Sequence, residues 1–578
     1  MEKRILILAA MFMISPTLKS QDKLIEIIAT SDIHGALFPY DYLSKKDSMP
    51  SLASLSTYIN RQRNQTDREV LLLDNGDILQ GDPVVYYYDF IDTTTKHIAA
   101  LTLNYLHYDA ETVGNHDLEG GPQVYDTYSK EVDFPLLSAN IIDTRTNKTY
   151  FKPYAVFNKS GKKVVVLGLT TPTVPKWLPT ILIPNMKFID MVQAAKHWVS
   201  IINEKEHPDV LIGLFHSGTN YTYNNPHLEE YMNENAVELV ARHVEGFDAV
   251  IGGHDHQGHN YIITNDFGAK VLIIAPTSRL RDFADITISF DENGHKSVMG
   301  KLYLTSTLDI DYAYLRNFQP YLTDIDEYFN EPIGIIDGDM TSTDGIFYDD
   351  PMSNLIHDVQ LYYSGADISF AAPLSLGSII NKGMLYRRDL FKIYKYDNFL
   401  YKIKLSGQEI KDYLEYSYWN WFNQMKSSND YLLRYKLDEN NDISSDYFPQ
   451  TEAQSYNFDS AEGINYTVDL RKGKGKRINI TSFTDGRPFE LDKVYTVALT
   501  SYRGSGGGDH LTEGAGIPAD KLSERIVFSS EYDMKYYLEQ WIKANSPLTP
   551  DTTRSWHIIP EKWYNERIVK ESKLFKAK

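Results

Sequence analysis

Residues 112–121 read TVGNHDLEGG, a run in which Gly-Asn-His sets a tight turn, a neutral oxygen donor and an imidazole side by side. Four other stretches carry side chains of the same kind, each just after an apolar run. Asp32 and His34 follow residues 24–30, Asp77 follows 70–73, His216 follows 210–215, and His254 and His256 follow 250–251. Apolar runs at 164–169 and 271–275 complete the series, with longer helical or loop segments between them. Such alternation predicts an α/β layered fold. In that architecture ligands gather where strands end and loops begin, so side chains spread over about 220 positions can meet on one rim.

The donors fall into a pattern. Asp32-Ile33-His34 is expected to place two ligands on one side of an extended chain, and His254-Asp255-His256 repeats the spacing behind Gly252 and Gly253. Asp77 lies in DNGD just after a glycine, where a carboxylate can bridge two cations. Asn115 adds an oxygen and His216 a nitrogen. Asp32, His34, Asp77, Asn115, His216, His254 and His256 are too many for one ion and suit two that share Asp77. The natural division gives Asp32, His34 and His256 to one metal and Asn115, His216 and His254 to the other. Nitrogen and oxygen donors without sulfur fit Mn, Zn, Fe or Co.

Composition narrows the partners. The chain of 578 residues has 42% hydrophobic residues and a formal net charge of −20, against a protein that grips a nucleic-acid polymer through a basic face. A small phosphorylated substrate is compatible with that charge if metal ions supply local positive potential. Residues 1–20, MEKRILILAAMFMISPTLKS, place Lys3 and Arg4 before an apolar run at 5–14 and read as a signal peptide, too short to span a bilayer. The 578 residues include no cysteine, which excludes disulfides, thiolate ligands and a lipid-modified cysteine. The expectation is a periplasmic or secreted bacterial protein with no membrane segment after processing and no obligate protein partner.

The length predicts two domains. Residues 22–303 form the metal-bearing one; residues 304–336 are expected to be a connecting helix, with Leu, Tyr and Phe at helical spacing across 304–329. Residues 337–550 form a second α/β domain and 551–578 a tail. Within the second domain, 351–364 reads as an amphipathic helix, 366–372 and 399–405 as strands, 407–422 as a helix and 426–446 as a polar loop.

The motifs D-x-H, G-D, G-N-H-D, H and G-H-x-H, in that order over residues 24–291, resemble the calcineurin-like metallophosphoesterases. The resemblance implies an αββα four-layer sandwich with a binuclear centre at its rim. It leaves His116 to stabilise the phosphorane or protonate the leaving oxygen, and Glu119 to orient it, although related patterns often carry Asp or Asn at that position. In the second half, YNFDSAEGINY (456–466) and SYRGSGGGD (501–509) resemble the substrate domain of the periplasmic nucleotidases, in which two aromatic rings sandwich the base. Carried over, that role falls to Tyr456 and Tyr502, with Phe458 as a substitute for the first and Arg503 assisting phosphate or sugar. The segment SFAAPLSLGS (369–378) lacks the arginine motif of ordinary 5′-nucleotidases. Together with DNGDILQGDP it looks more like the 2′,3′-cyclic-nucleotide 2′-phosphodiesterase/3′-nucleotidase branch. The alternatives are a 5′-nucleotidase or nucleotide-sugar hydrolase, and a catalytically dead nucleotide-binding protein. Because the rim and the base platform lie on different domains, rotation about 304–336 is the expected gate.

Overall fold

The apolar runs become strands. Leu24–Thr30, Arg68–Asp74 and Ala110–Thr112 run parallel in one six-stranded sheet; Lys162–Thr170, Val210–His216, Ala249–Ile251 and Lys270–Ala275 run parallel in a second. This is a computed structural model, and it describes residues 24–575 apart from 44, 48–49, 220–230, 349, 439, 441, 445–448 and 554. The expected signal peptide lies outside the described residues, as do parts of the expected 426–446 loop and of the expected tail.

The two sheets face each other across a dry layer. Ile25, Ile27 and Leu71 from one meet Val166, Ile212 and Ile251 from the other, all fully buried. Strands buried on both faces need apolar side chains in both directions, which is why these segments read as continuous hydrophobic runs rather than alternating ones. Helices Leu52–Arg63 and Ile98–Leu106 cover the outer face of the first sheet, and Met191–Lys205 and Val237–His243 that of the second. The layers are αββα. Since the central strands are parallel, Thr30, Asp74, Thr112, His216 and Ile251 all end at the same rim.

The connecting segment is shorter than the helix expected over 304–336. Lys296–Leu304 is a strand that pairs antiparallel with Asp282–Phe290 at the sheet edge, and its alternating pattern is that of a half-exposed edge. The connecting helix begins only at Tyr312, where the Asp311 carboxylate accepts the amide protons of Ala313 and Tyr314 as an N-cap. It ends at Phe329, and Pro332–Ile336 is already a strand. Tyr314, Phe318, Ile325 and Phe329 form its buried face.

The second domain is a five-stranded mixed sheet in the order Ser460–Glu462, Ile368–Ala371, Val494–Thr500, Phe399–Ser406, Ile526–Asp533. Helices Pro351–Ser364 and Gly407–Trp421 pack on it. His357 on the first of these is fully buried, its ring nitrogens 2.9 Å from Ser369 Oγ and 3.2 Å from Ser460 Oγ. Burial pushes this imidazole down to about 4 against the pull of Asp459. The unfolded chain binds a proton near 6.5 that the folded chain refuses, so His357 contributes stability that is present above pH 6.5 and lost as pH falls toward 4. In metal-free protein His357→Gln is expected to remove about 3 kcal/mol of the acid destabilisation in that window, read from urea midpoints at pH 7 and pH 4.5. An unchanged pH difference would refute it.

Candidate metal centre and facing cleft

Five of the seven expected ligands sit in the left-handed region. The φ angles are +51° at Asp32, +47° at His34, +60° at Asp77, +68° at His254 and +60° at His256. The D-x-H and H-x-H spacings therefore do not work through an extended chain, as the alternation argument supposed. Left-handed residues turn the backbone sharply off each strand end, and the pairs converge because the turn brings them back. An L-residue pays roughly 1–2 kcal/mol for this conformation, and it persists only where surrounding bonds over-determine it. Here they do. The amide of Asp32 donates to the Gly76 carbonyl at 2.9 Å and that of His34 to the Asp77 carbonyl at 2.8 Å, so the two loops run as a pair. Gly76 is required there: a Cβ would lie 2.5 Å from the Gly114 nitrogen. Likewise a Cβ at Gly253 would lie 2.1 Å from Ser31 Oγ, and this close approach lets the His254 amide reach the Asp32 carboxylate at 3.0 Å.

The carboxylate of Asp117 supports the same turn, accepting from the amides of Asp77, Ile78, Leu79 and Gly114 at 2.7–3.0 Å. It is saturated by backbone donors.

The ligands gather in two groups, Asp32 with His34 and His256, and Asp77 with His216 and His254. His34 Nε2 lies 3.1 Å from His256 Nε2, and His256 Nε2 lies 3.4 Å from Asp32 Oδ1. In the second group His216 Nε2 is 3.1 Å from Asp77 Oδ2 and 3.0 Å from Asn115 Oδ1. Donors about 2.0–2.2 Å from a common cation are about 3–3.5 Å apart, so these separations are those of coordination edges. The tautomers agree. His34 Nδ1 is engaged by the Gln80 carbonyl at 3.1 Å and His216 Nδ1 by the Asn75 carbonyl at 2.6 Å, which leaves each Nε2 lone pair to the site. Asp77 Oδ2 is buried and has no hydrogen-bond partner. A buried carboxylate oxygen of that kind calls for a cation, and the residues fit one in each group. Burial depresses the His34 imidazole to about 3, with His256 adding to the effect.

His116 follows Asn115 on the same loop. Its amide donates to Asp77 Oδ1 at 2.8 Å, and its Nδ1 lies 2.8 Å from Glu119 Oε1. Burial opposes the imidazolium, but Glu119 and Asp77 outweigh it and lift the group to about 9. Sequence had paired these two residues, and the structure brings them together.

Across the cleft stands the second domain. Register pairs Ala371 with Ser460 and Leu400 with Thr500, so residues just before Ser460, just before Phe399 and just after Thr500 share one end of the sheet. Tyr456 and Tyr502 are there. So is Tyr396, which sequence reading missed: its ring lies 5.9 Å from that of Tyr456 at 72°, and burial raises its hydroxyl, with Tyr456, Tyr502 and Glu119 of the first domain adding to the effect. The signal was present in IYKYDNFL, an aromatic immediately before a strand start, but nothing in that run marks a ring as facing a ligand.

Phe458 and Arg503 do not face the substrate side as expected. Phe458 is 1% exposed and stacks on Trp421 at 5.4 Å within the core of the second domain; it cannot meet a base. Arg503 is 3% exposed and spends all five donors inside the protein. Two go to the Asp459 carboxylate, and one each to Asn457 Oδ1 and the carbonyls of Gly507 and Tyr456, at 2.7–3.1 Å. Its work is to lock the loops that carry Tyr456 and Tyr502. Arg503→Met leaves Asp459 as an unpaired buried charge and is expected to cost about 3–5 kcal/mol in urea unfolding; a change below 1 kcal/mol would contradict that role.

The Tyr396 loop has its own anchor. Lys535, 1% exposed at its side chain, pairs with Asp397, donates to the Tyr396 carbonyl at 2.9 Å and lies 4.8 Å from the ring of Tyr86 in the first domain.

Residues 25–258 match the family described as calcineurin-like phosphoesterase, and residues 332–513 match the 5′-nucleotidase, C-terminal domain. The chain is 27% identical over 601 residues to the trifunctional nucleotide phosphoesterase protein YfkN of Bacillus subtilis, covering 93% of this chain and 39% of that longer protein. It is 25% identical over 605 residues to the 2′,3′-cyclic-nucleotide 2′-phosphodiesterase/3′-nucleotidase of Haemophilus influenzae, covering 93% of this chain and 87% of that protein. Its fold is like that of a Staphylococcus aureus protein solved as a 5′-nucleotidase, with TM-score 0.76 at 23% identity over 93% of this chain and 100% of that one. Calcineurin-like phosphoesterases use divalent metals. With a metal-type rim on the first domain and a second domain of the nucleotidase kind beside it, the chain joins a calcineurin-like phosphoesterase domain to a 5′-nucleotidase C-terminal domain, the pairing shared with relatives named 2′,3′-cyclic-nucleotide 2′-phosphodiesterase/3′-nucleotidase and 5′-nucleotidase.

Proposed function

We propose that the chain is an exported phosphoesterase that opens 2′,3′-cyclic nucleotides to 3′-nucleotides and then releases nucleoside and phosphate at the same centre. The observation that carries this reading is the pair of ligand groups at one rim, facing an aromatic cluster on the second domain. Asp32, His34 and His256 would hold one divalent ion and Asn115, His216 and His254 the other, with Asp77 between them; Mn, Zn, Fe and Co suit the donors. Bound there, such ions supply charge compensation for the phosphoryl oxygens and a water of lowered pKa.

The chain's own groups do the rest. Tyr396, Tyr456 and Tyr502 offer faces on which any base can stack, worth about 1–3 kcal/mol per base, which favours a broad base range. Water adds to phosphorus, releasing a proton to solvent, as the P–O2′ bond breaks; His116, paired with Glu119, gives its proton to the departing 2′ oxygen and regains one from solvent. The 3′-phosphate left behind is cleaved in the same way at the 3′ oxygen. No helix among the described residues is long and apolar enough to cross a membrane, and Lys3, Arg4 and the apolar run at 5–14 favour export.

The test is product release from 2′,3′-cyclic AMP, 3′-AMP and 5′-AMP side by side with Mn-loaded protein. Turnover of the first two with at most a tenth of that rate on the third is expected. A preference for 5′-AMP would keep the centre and replace the substrate, a reading favoured by the Vibrio 5′-nucleotidases, 24% identical over 67–90% of this chain.

A further inference from the structure

Glu234 stands at the metal rim. It belongs to neither ligand group, yet its Oε1 lies 3.0 Å from Nε2 of His254. Its backbone is fixed: the carbonyl accepts from Ser217 Oγ at 2.6 Å and from Thr171 Oγ1 at 3.2 Å, and the Ala236 amide donates back to Ser217 Oγ at 2.9 Å. Ser217 directly follows the ligand His216, so Glu234 is set by the same strand end that sets the metal rim. Trp177, stacked on His254 at 5.4 Å and 29°, walls the other side. The Glu234 side chain remains 24% exposed; burial above all, with the Glu234 carboxylate adding to it, raises the hydroxyls of Tyr456 and Tyr502 of the second domain.

A nucleotide with its base on the tyrosines and its phosphate at the rim must lay its sugar across the space between them. An ionised carboxylate can only accept hydrogen bonds, and in the middle of a nucleotide the donors are the ribose hydroxyls. We propose that Glu234 is a specificity-determining residue for the second step, accepting a hydrogen bond from the 2′-hydroxyl that opening of the cyclic phosphate frees, so that the site selects 3′-ribonucleotides over 2′-deoxy-3′-nucleotides. One oxygen of the carboxylate steadies His254, and the other takes the sugar. This assignment rests on the nucleotide reading above.

Two ratios test it. In metal-free protein, calorimetry is expected to give adenosine about tenfold tighter binding than 2′,3′-dideoxyadenosine, the worth of one hydrogen bond to a charged group, and Glu234→Gln and Glu234→Ala are each expected to shrink that ratio below threefold. In Mn-loaded protein the ratio of kcat/KM for 3′-AMP over 2′-deoxy-3′-AMP is expected to fall by about tenfold in the same variants. A variant in which both substrates lose equally, leaving either ratio at its wild-type value, overturns the proposal and reduces Glu234 to a support for His254. If the wild-type protein fails to turn over 3′-AMP at all, the substrate reading falls by itself, while the binding ratio still decides for or against Glu234.

Discussion

Asp77→Asn is expected to abolish phosphodiester hydrolysis while leaving the fold intact. The substitution keeps shape and volume, and the amide oxygen can still accept from the His116 amide, which donates to Asp77 Oδ1 at 2.8 Å. What disappears is the charge and the second oxygen, the buried Oδ2 that lacks a partner and stands 3.1 Å from His216 Nε2. An amide NH2 in its place points a donor where a cation belongs. Loss of several kcal/mol of charge stabilisation corresponds to a fall in kcat/KM of about 10³ or more, with bis(p-nitrophenyl) phosphate as the readout. Metal analysis of the same preparation is expected to show fewer than two ions per chain. Full activity with two ions bound would remove Asp77 from the centre, and a dead nucleotide-binding protein would show no wild-type hydrolysis to lose.

His116→Gln is expected to have a different signature. Metal content stays at the wild-type level, because the ring is outside both ligand groups, while kcat on 2′,3′-cyclic AMP falls about 10²–10⁴-fold through loss of the general acid. The leaving group tells the two roles of an imidazole apart. A sugar alkoxide needs a proton as it departs, whereas p-nitrophenolate leaves without one, so hydrolysis of bis(p-nitrophenyl) phosphate should fall far less. Equal losses on the two substrates would mean that His116 stabilises phosphoryl charge and does not deliver a proton. Glu119→Gln removes the group bonded to His116 Nδ1 and is expected to reproduce the leaving-group dependence at about tenfold.

Most of the first domain was legible because its strands are buried on both faces and announce themselves as short apolar runs, and because the donors fall directly after them. Nothing in residue type, however, encodes the sign of φ. Asp32 and His34 looked like neighbours on one face of an extended chain; they meet through a left-handed turn held by the 75–77 loop. The strand Lys296–Leu304 went unmarked for a similar reason, since an edge strand with one wet face carries as many polar residues as a connecting segment. Aromatic roles were the least legible. Tyr396, Tyr456 and Phe458 sit in equally polar surroundings in the sequence, and only the register of the second sheet puts the first two at the cleft and turns the third into the core against Trp421. Arg503 was misread because an arginine beside glycines suits an anion site as well as a buried clamp; the partner that decides, Asp459, is 44 residues away.

Among the described residues, five non-glycine positions are both buried and left-handed: Asp32, His34, Asp77, His254 and Leu280. Four of them belong to the two candidate ligand groups. Selection for catalysis is what holds such costly conformations in an interior, and mutation is free to relieve them once that selection lifts. A descendant that kept the fold and gave up hydrolysis should therefore drift first at these four sites, toward glycine and asparagine, gaining thermal tolerance as it loses the reaction. Its history of function would be written in backbone angles before it could be read in the strands.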